Sequence, residues 1–171
     1  MFDGMKSKLN DISTIKLLCE RAEAHALLDQ QREPGAEHFL LAALDLPDGT
    51  ARLAFEQVGV EPGAVRAAIE RQYTDALRSI GLNANMPADT PVSTKPGVYQ
   101  AAPSGREVME ELAATRKHHS PLLGAHVVGI VAGMSHGVAA RALRILGVDC
   151  SALKTAADAI AGVGRLQAFD R

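Results

Sequence analysis

The sequence predicts an all-α protein built from two copies of one helical unit. Apolar residues make up 47% of the chain, tryptophan is absent and aromatic residues reach only 4%. This composition, with its abundant alanine and leucine, favours helices over sheets. The second observation is an internal repeat, in which residues return at the constant offset of 88 that separates His126 from His38. The identical pairs at this offset are His38/His126, Gly49/Gly137, Ala51/Ala139, Ala54/Ala142, Gly59/Gly147, Val60/Val148, Ala64/Ala152 and Ala68/Ala156.

The first repeat, residues 13–80, is predicted to begin with two helices. Ser13 and Thr14 are residue types that cap helix N-termini, and apolar residues then follow at helical spacing to about residue 30. Pro34 and the glycine after it end this helix. A second helix begins near Ala36 and is apolar almost all round, which is typical of a helix buried between neighbours.

Two further helices complete the first repeat. The third is predicted over 50–58, and Gly59 fits the position after a helix where the backbone turns left-handed. We expect the fourth helix to begin with Pro62, because the first helical position does not need an N–H donor. Its apolar face continues to about residue 80, and Tyr73, Leu77 and Ile80 are expected to lie on it.

Residues 81–103 carry four prolines and no periodicity, so they are predicted to link the two repeats. The second repeat, 104–160, is then predicted to contain four helices, of which Ser104 caps the first. Gly147 takes the place of Gly59 in this repeat, and the tail from residue 162 carries no strong signal. With two repeats in 171 residues, we expect a single pseudo-symmetric domain over 1–171.

Charge and composition exclude several classes of protein. Eighteen basic and twenty acidic residues give a net charge of −2 without a basic block, so we expect no nucleic-acid partner. No apolar run reaches the roughly twenty residues that span a bilayer, and the N-terminus lacks the apolar centre of a secretory signal. We therefore expect a cytoplasmic protein without a membrane partner, in which Cys19 and Cys150 are reduced core thiols.

Catalysis and metal binding are not expected. The chain lacks a Gly-Lys-Ser/Thr phosphate loop, and no serine or cysteine lies in a glycine-flanked turn. His118 and His119 are adjacent and point to different sides of a helix, so they do not form a zinc pair. A small helical hydrolase is thus the remote alternative, and we expect no catalytic residue, metal or cofactor.

Three residues at the starts of the two buried helices suggest different roles. His38 and His126 hold equivalent places there, so we interpret both as structural residues whose imidazoles satisfy backbone groups of the preceding turn. Glu37 lies in the first turn, where the helix dipole favours a carboxylate, and this alone would explain it. The alternative is that Glu37 receives a cationic ligand, and since its counterpart is Ala125, this would happen only once.

The segment Gly35-Ala-Glu-His-Phe-Leu-Leu, the Gly-x-Ala-x-x-x-x-x-x-x-Gly-Val pattern and the opening Met1-Phe2 together resemble the Clp amino-terminal (Clp repeat) domain. This domain precedes the ATPase modules of ClpA- and ClpC-type AAA+ unfoldases. The resemblance covers residues 13–160 and implies eight helices in two four-helix repeats related by a pseudo-twofold axis. It also implies a non-catalytic module that captures substrates, adaptor proteins, phosphorylated arginine side chains and certain cyclic-peptide antibiotics.

The resemblance assigns ligand-binding residues. The family's Thr-Glu-His becomes Ala36-Glu37-His38, so Glu37 corresponds to the glutamate that contacts a phosphoarginine guanidinium. The family tends to carry an aromatic residue that binds cyclic peptides at the position of Ala101 in this chain. The resemblance therefore leaves Phe2 as a residue for such ligands, together with Tyr99, which lies two residues before Ala101.

These correspondences lead to two functional expectations. The first is a stand-alone adaptor or decoy whose partners are a Clp unfoldase or its protein substrates and adaptors. The alternative is sequestration of Clp-targeting cyclic-peptide antibiotics.

Overall fold

The computed structural model describes the backbone of residues 2–82, 99–115 and 121–169, and the side chains of 10–82, 99–115 and 121–163. Within these ranges the chain forms eight α-helices and no strand, as predicted. The helices are α1 (Phe2–Leu28), α2 (Ala36–Leu44), α3 (Thr50–Gln57), α4 (Ala64–Ser79), α5 (Pro103–Ala114), α6 (Gly124–Gly133), α7 (Gly137–Ile145) and α8 (Cys150–Phe169).

The helices α2 and α6 lie against each other at the centre of the molecule. Every residue of α2 is buried, as its nearly continuous apolar sequence predicts. Around this pair, α3 packs on α8 and α4 packs on α7, while α3 also contacts α6 and α7 contacts α2. These contacts are reciprocal between the halves, which is the pattern that a twofold arrangement of two repeats produces.

The two halves differ in how the fourth helix of each meets the buried helix. The helices α6 and α8 are in close contact, whereas α2 and α4 approach each other little. Gly129 permits the close approach, because a Cβ atom there would lie 3.1 Å from Asp158 Oδ1 and 3.8 Å from Ala157 Cβ. At the offset of 88, the residues matching Gly129 and Ala157 are Leu41 and Ile69. Larger side chains therefore separate α2 from α4.

A glycine with a left-handed backbone follows three of the helices. Gly59 follows α3 with φ +73° and Gly147 follows α7 with φ +69°. In each case the N–H of the next valine donates to a carbonyl five residues back, over 3.0 Å, which is the Schellman arrangement. The same arrangement at Gly81, with φ +79°, ends α4.

The long terminal helices differ from the prediction. The first helix begins at Phe2, so Ser13 and Thr14 lie within α1 and do not cap it. The reason is that residues 2–12 contain no proline, and this segment is tied to the body through Asp11, which is buried and accepts a hydrogen bond from the Leu122 N–H over 2.8 Å. The tail is also helical, since α8 continues to Phe169.

Two helix starts were also predicted wrongly. Pro62 lies in a turn two residues before α4, whose first residue is Ala64. In α5 the proline Pro103 takes the first helical position, so Ser104 lies inside the helix. Its hydroxyl accepts a hydrogen bond from the Ala36 N–H over 3.1 Å and therefore caps α2 instead.

The expected apolar face of α4 is buried only in the first half of that helix. Val65 and Ile69 are fully buried, whereas Leu77 is 38% exposed and Ile80 is 70% exposed. Leu53 of α3 is likewise 49% exposed. No described helix is both long enough and apolar enough to cross a membrane.

Candidate functional site

The first turn of α2 holds two of the residues that the sequence singled out, Glu37 and His38. His38 Nδ1 accepts a hydrogen bond from the Gly35 N–H over 2.9 Å, so the imidazole satisfies one of the free amides at the helix start. The Glu37 carboxylate folds back over Gly35, where a Cβ atom would lie 2.7 Å from both carboxylate oxygens. A side chain at position 35 would therefore require the Glu37 carboxylate to move.

His38 is part of a chain of buried polar groups. Because Nδ1 accepts from a backbone amide, the geometry assigns the ring proton to Nε2, which donates to Asp29 Oδ2 over 3.1 Å. The other oxygen of Asp29 accepts from Arg66 Nη2 over 2.5 Å. The side chains of His38 and Asp29 are only 1% and 5% exposed. Because they are shielded from water, these hydrogen bonds are what satisfies their polar atoms.

Arg66 connects this chain to the surface. Its Nε donates to Glu70 Oε1 over 2.8 Å, and its Nη1 lies 3.5 Å from His25 Nδ1. His25 Nε2 is in turn 2.7 Å from Asp45 Oδ2. The guanidinium is therefore already engaged on three sides.

Glu37 is bound to a tyrosine of α4. The Tyr73 hydroxyl donates to Glu37 Oε1 over 2.6 Å, and the Tyr73 ring stacks on His38 with centroids 6.3 Å apart. Burial, followed by the hydrogen bond to Glu37 and its negative charge, raises the pKa of Tyr73 well above its usual range. Within the described part of the chain, Glu37 Oε2 has no hydrogen-bond donor. We call Asp29, Glu37, His38, Arg66 and Tyr73 the polar cluster.

The second repeat has the histidine but not the cluster. His126 Nδ1 accepts from the Leu123 N–H over 3.0 Å, as His38 does from Gly35. However, Ala125 replaces Glu37 and Ala161 replaces Tyr73 at the matching positions. Both alanines are buried, and close packing of α6 on α8 fills the corresponding space. The polar cluster therefore belongs to the first repeat alone.

The two repeats cap each other's central helices, which the sequence analysis did not predict. The Gly124 N–H donates to Asp48 Oδ2 over 3.1 Å, and the Ala125 N–H donates to Thr50 Oγ1 over 2.9 Å. Asp48 also binds the Thr50 hydroxyl and orients it. Aspartate and threonine around a glycine indicate a turn, but no local pattern shows that their oxygens cap a helix more than seventy residues away.

Of the remaining predicted ligand residues, only Tyr99 has a side chain among those that the structure describes. The side chain of Phe2 lies outside the described residues, as do His118, His119 and most of the predicted linker. Tyr99 is 36% exposed, and its hydroxyl lies close to the Cys19 thiol of α1. Burial raises the pKa of that thiol, and the nearby Tyr99 hydroxyl partly opposes the effect.

The described residues contain no group of three or more histidine, cysteine, aspartate or glutamate side chains arranged to hold a metal ion. Cys19 and Cys150 are unpaired and partly buried. What the polar cluster offers instead is one buried carboxylate with an oxygen still able to accept a donor. Such a group is suited to binding a cation or an N–H donor.

Comparison with models of protein families gives a match in the first repeat. The family model described as the Clp repeat (R) N-terminal domain matches residues 14–94, which contain α2, α3, α4, most of α1 and the whole polar cluster. This family is one of non-catalytic interaction domains. A search of curated proteins finds no match to the chain.

Proposed function

Because residues 14–94 belong to the Clp repeat (R) N-terminal domain family, we propose that this interaction module of the Clp system acts in the cytoplasm as an adaptor or decoy for a ClpC-type unfoldase. An adaptor would bring protein clients to the unfoldase, and a decoy would bind clients that the unfoldase's own domain would otherwise receive. The family match is the observation that carries the proposal. The eight-helix fold supports it, since the central helices are committed to packing and leave the outer helices for contacts with partners.

The polar cluster supports a more specific ligand. We propose that Glu37 receives the guanidinium of a phosphorylated arginine on a client protein. The carboxylate lies at the N-terminal turn of α2, and Oε2 has no donor among the described residues. A guanidinium presents two parallel N–H groups that match a carboxylate, which a lysine ammonium does not. The side chain is only 8% exposed, so binding requires a local rearrangement.

A degradation assay with purified components tests the main proposal. A ClpC-type unfoldase, its peptidase and a fluorescent client are incubated with increasing amounts of this protein. Faster loss of client fluorescence identifies an adaptor, and slower loss identifies a decoy. If the rate is unchanged and the immobilised protein retains neither unfoldase nor client, the proposal is wrong.

Calorimetry with phosphoarginine tests the role of Glu37. The substitution Glu37→Gln keeps the shape of the side chain and removes its charge, and we expect it to abolish binding. Glu107→Gln, on the exposed side of α5, is the matched control and should bind like the unaltered protein. Equal affinity of all three proteins would contradict the assignment.

Sequestration of cyclic-peptide antibiotics is the second candidate. It is supported by Tyr99, which remains 36% exposed near the end of the predicted linker and lies close to Cys19 of α1. Calorimetry with a cyclic peptide directed at ClpC would test it, with Tyr99→Ala as the comparison. Absence of heat at micromolar concentration would refute this candidate, and equal affinity of the two proteins would remove Tyr99 from the site.

A further inference from the structure

We propose that Tyr73 is a gate on the Glu37 carboxylate, so that a cationic group reaches Glu37 only after the Tyr73 hydroxyl has left it. The inference rests on the proposed function, in which Glu37 receives a guanidinium. It adds a residue of α4 that decides whether this carboxylate is open or closed. Tyr73 therefore acts as a positioning residue that competes with the ligand.

The Glu37 carboxylate is nearly buried and has few hydrogen-bond partners. Glu37 is 6% exposed as a residue, and its only donor within the described ranges is the Tyr73 hydroxyl, 2.6 Å from Oε1. A buried carboxylate is costly when one of its oxygens lacks a donor, as Oε2 does among the described residues, so the contacts seen there stabilise the closed arrangement incompletely. A guanidinium binding both oxygens would complete it, and it would take the place of the Tyr73 hydroxyl at Oε1, because the nearly buried carboxylate offers little other access. Tyrosine and ligand thus compete for the same atom.

Tyr73 lies on α4 at the boundary between the buried and the exposed part of that helix. One turn earlier Ile69 is fully buried, whereas Leu77 one turn later is 38% exposed and Ile80, just past the end of α4, is 70% exposed. Tyr73 is therefore the last residue that ties α4 to the body on this face. Movement of the two turns after Ile69 would withdraw the hydroxyl without exposing the buried first half of the helix.

The second repeat lacks both the carboxylate and the tyrosine. Ala125 and Ala161 stand where Glu37 and Tyr73 would be, so carboxylate and hydroxyl are both missing there. The space is closed by contact of α6 with α8, which Gly129 allows. The two residues thus occur together in one repeat and are replaced together in the other, as expected for parts of one device.

Carboxyl labelling tests the gate without any ligand. The protein is treated with a water-soluble carbodiimide and glycine ethyl ester, and labelling at Glu37 is followed by peptide mass spectrometry. We expect Tyr73→Phe to raise the Glu37 labelling rate on the order of tenfold, the factor for losing a hydrogen bond to a charged group. Tyr99→Phe removes the chain's other tyrosine hydroxyl and should leave the rate unchanged. Labelling of the exposed Glu107 reports any general loss of structure.

Because the phenylalanine ring could keep the site covered, Tyr73→Ala is included. If Glu37 labelling does not increase in either variant at Tyr73 while Glu107 labelling stays constant, the gate is refuted. Calorimetry with phosphoarginine separates the gate from the ligand. Tighter binding by Tyr73→Phe, again about tenfold, supports both ideas, and equal binding by Tyr73→Phe and unaltered protein overturns the gate. Increased labelling without any binding supports the gate and refutes phosphoarginine as the ligand.

Discussion

The close approach of α5 to the turn before α2 gives a quantitative prediction at Gly105. A Cβ atom at this buried position would lie 2.2 Å from the Pro34 carbonyl oxygen, 3.1 Å from Phe39 Cε2 and 3.2 Å from Ala101 Cβ. The nearest atom belongs to the backbone, so it cannot move by a change of rotamer. Gly105→Ala must therefore displace α5 or the turn.

The expected cost combines three effects. Overpacking a buried site costs about 1–3 kcal/mol. The Pro34 carbonyl also accepts the Ala102 N–H over 3.1 Å, and losing this bond costs about 0.5–1.5 kcal/mol. Alanine recovers up to about 1 kcal/mol of helix propensity. We expect the free energy of unfolding to fall by about 1–3 kcal/mol, which for a chain of this length lowers Tm by roughly 2–12 °C.

Denaturant titration and thermal unfolding, followed by far-ultraviolet circular dichroism, measure this change. The control is Gly162→Ala in α8, where no atom outside the helix lies within 4 Å of the added Cβ. That substitution should stabilise the protein by up to about 1 kcal/mol. If Gly105→Ala is as stable as the unaltered protein, or if both substitutions shift Tm upward alike, the contact between α5 and Pro34 is not as described.

Three further predictions follow from the polar contacts. Tyr73 and Tyr99 both have a pKa that is raised in the folded state. The contribution of these two protonated tyrosines to stability is therefore complete below about pH 10, and it falls as pH rises beyond that value. Tyrosinate absorbance should therefore reach its full amplitude only together with loss of helical dichroism, and ionisation of both tyrosines in the still folded protein near pH 10 would contradict this. His38→Ala should cost about 2–4 kcal/mol, because it removes an amide cap and the donor to a buried carboxylate, whereas His126→Ala should cost less because His126 is only partly buried. Equal losses in denaturant titrations of these two variants would contradict a larger contribution from the more deeply buried His38. Asp11→Ala should cost about 1–3 kcal/mol by leaving a buried amide without its acceptor; hydrogen exchange should show faster exchange of that amide, and unchanged protection would refute the contact.

The sequence predicted the short helices well because their limits are set by local residues. Pro34 and Gly35 fix the start of α2, and Gly59 and Gly147 adopt the left-handed backbone that ends a helix. The extent of α1 was missed, because no proline marks its beginning and its first turns are stabilised through a distant contact of Asp11.

The polar cluster could be predicted only in part. Glu37 and His38 were identified from their place in the repeated motif, but the partners that fix their chemistry lie on other helices. Asp29 is at the end of α1, and Tyr73 lies thirty-six residues beyond Glu37 in the chain. Nothing local in an amphipathic helix such as α4 distinguishes a tyrosine that binds a buried carboxylate from one that packs in a core.

The exchange of caps between the halves bears on how such a protein folds and how it could have arisen. Ser104 caps the first repeat's central helix, while Asp48, Thr50 and Asp11 supply acceptors to the second. Each half alone would leave amides of its own inner helix without acceptors, so the fused chain resembles a covalently joined homodimer whose subunits have since diverged. Cutting the connection between them should therefore leave fragments that become stably structured on mixing rather than separately.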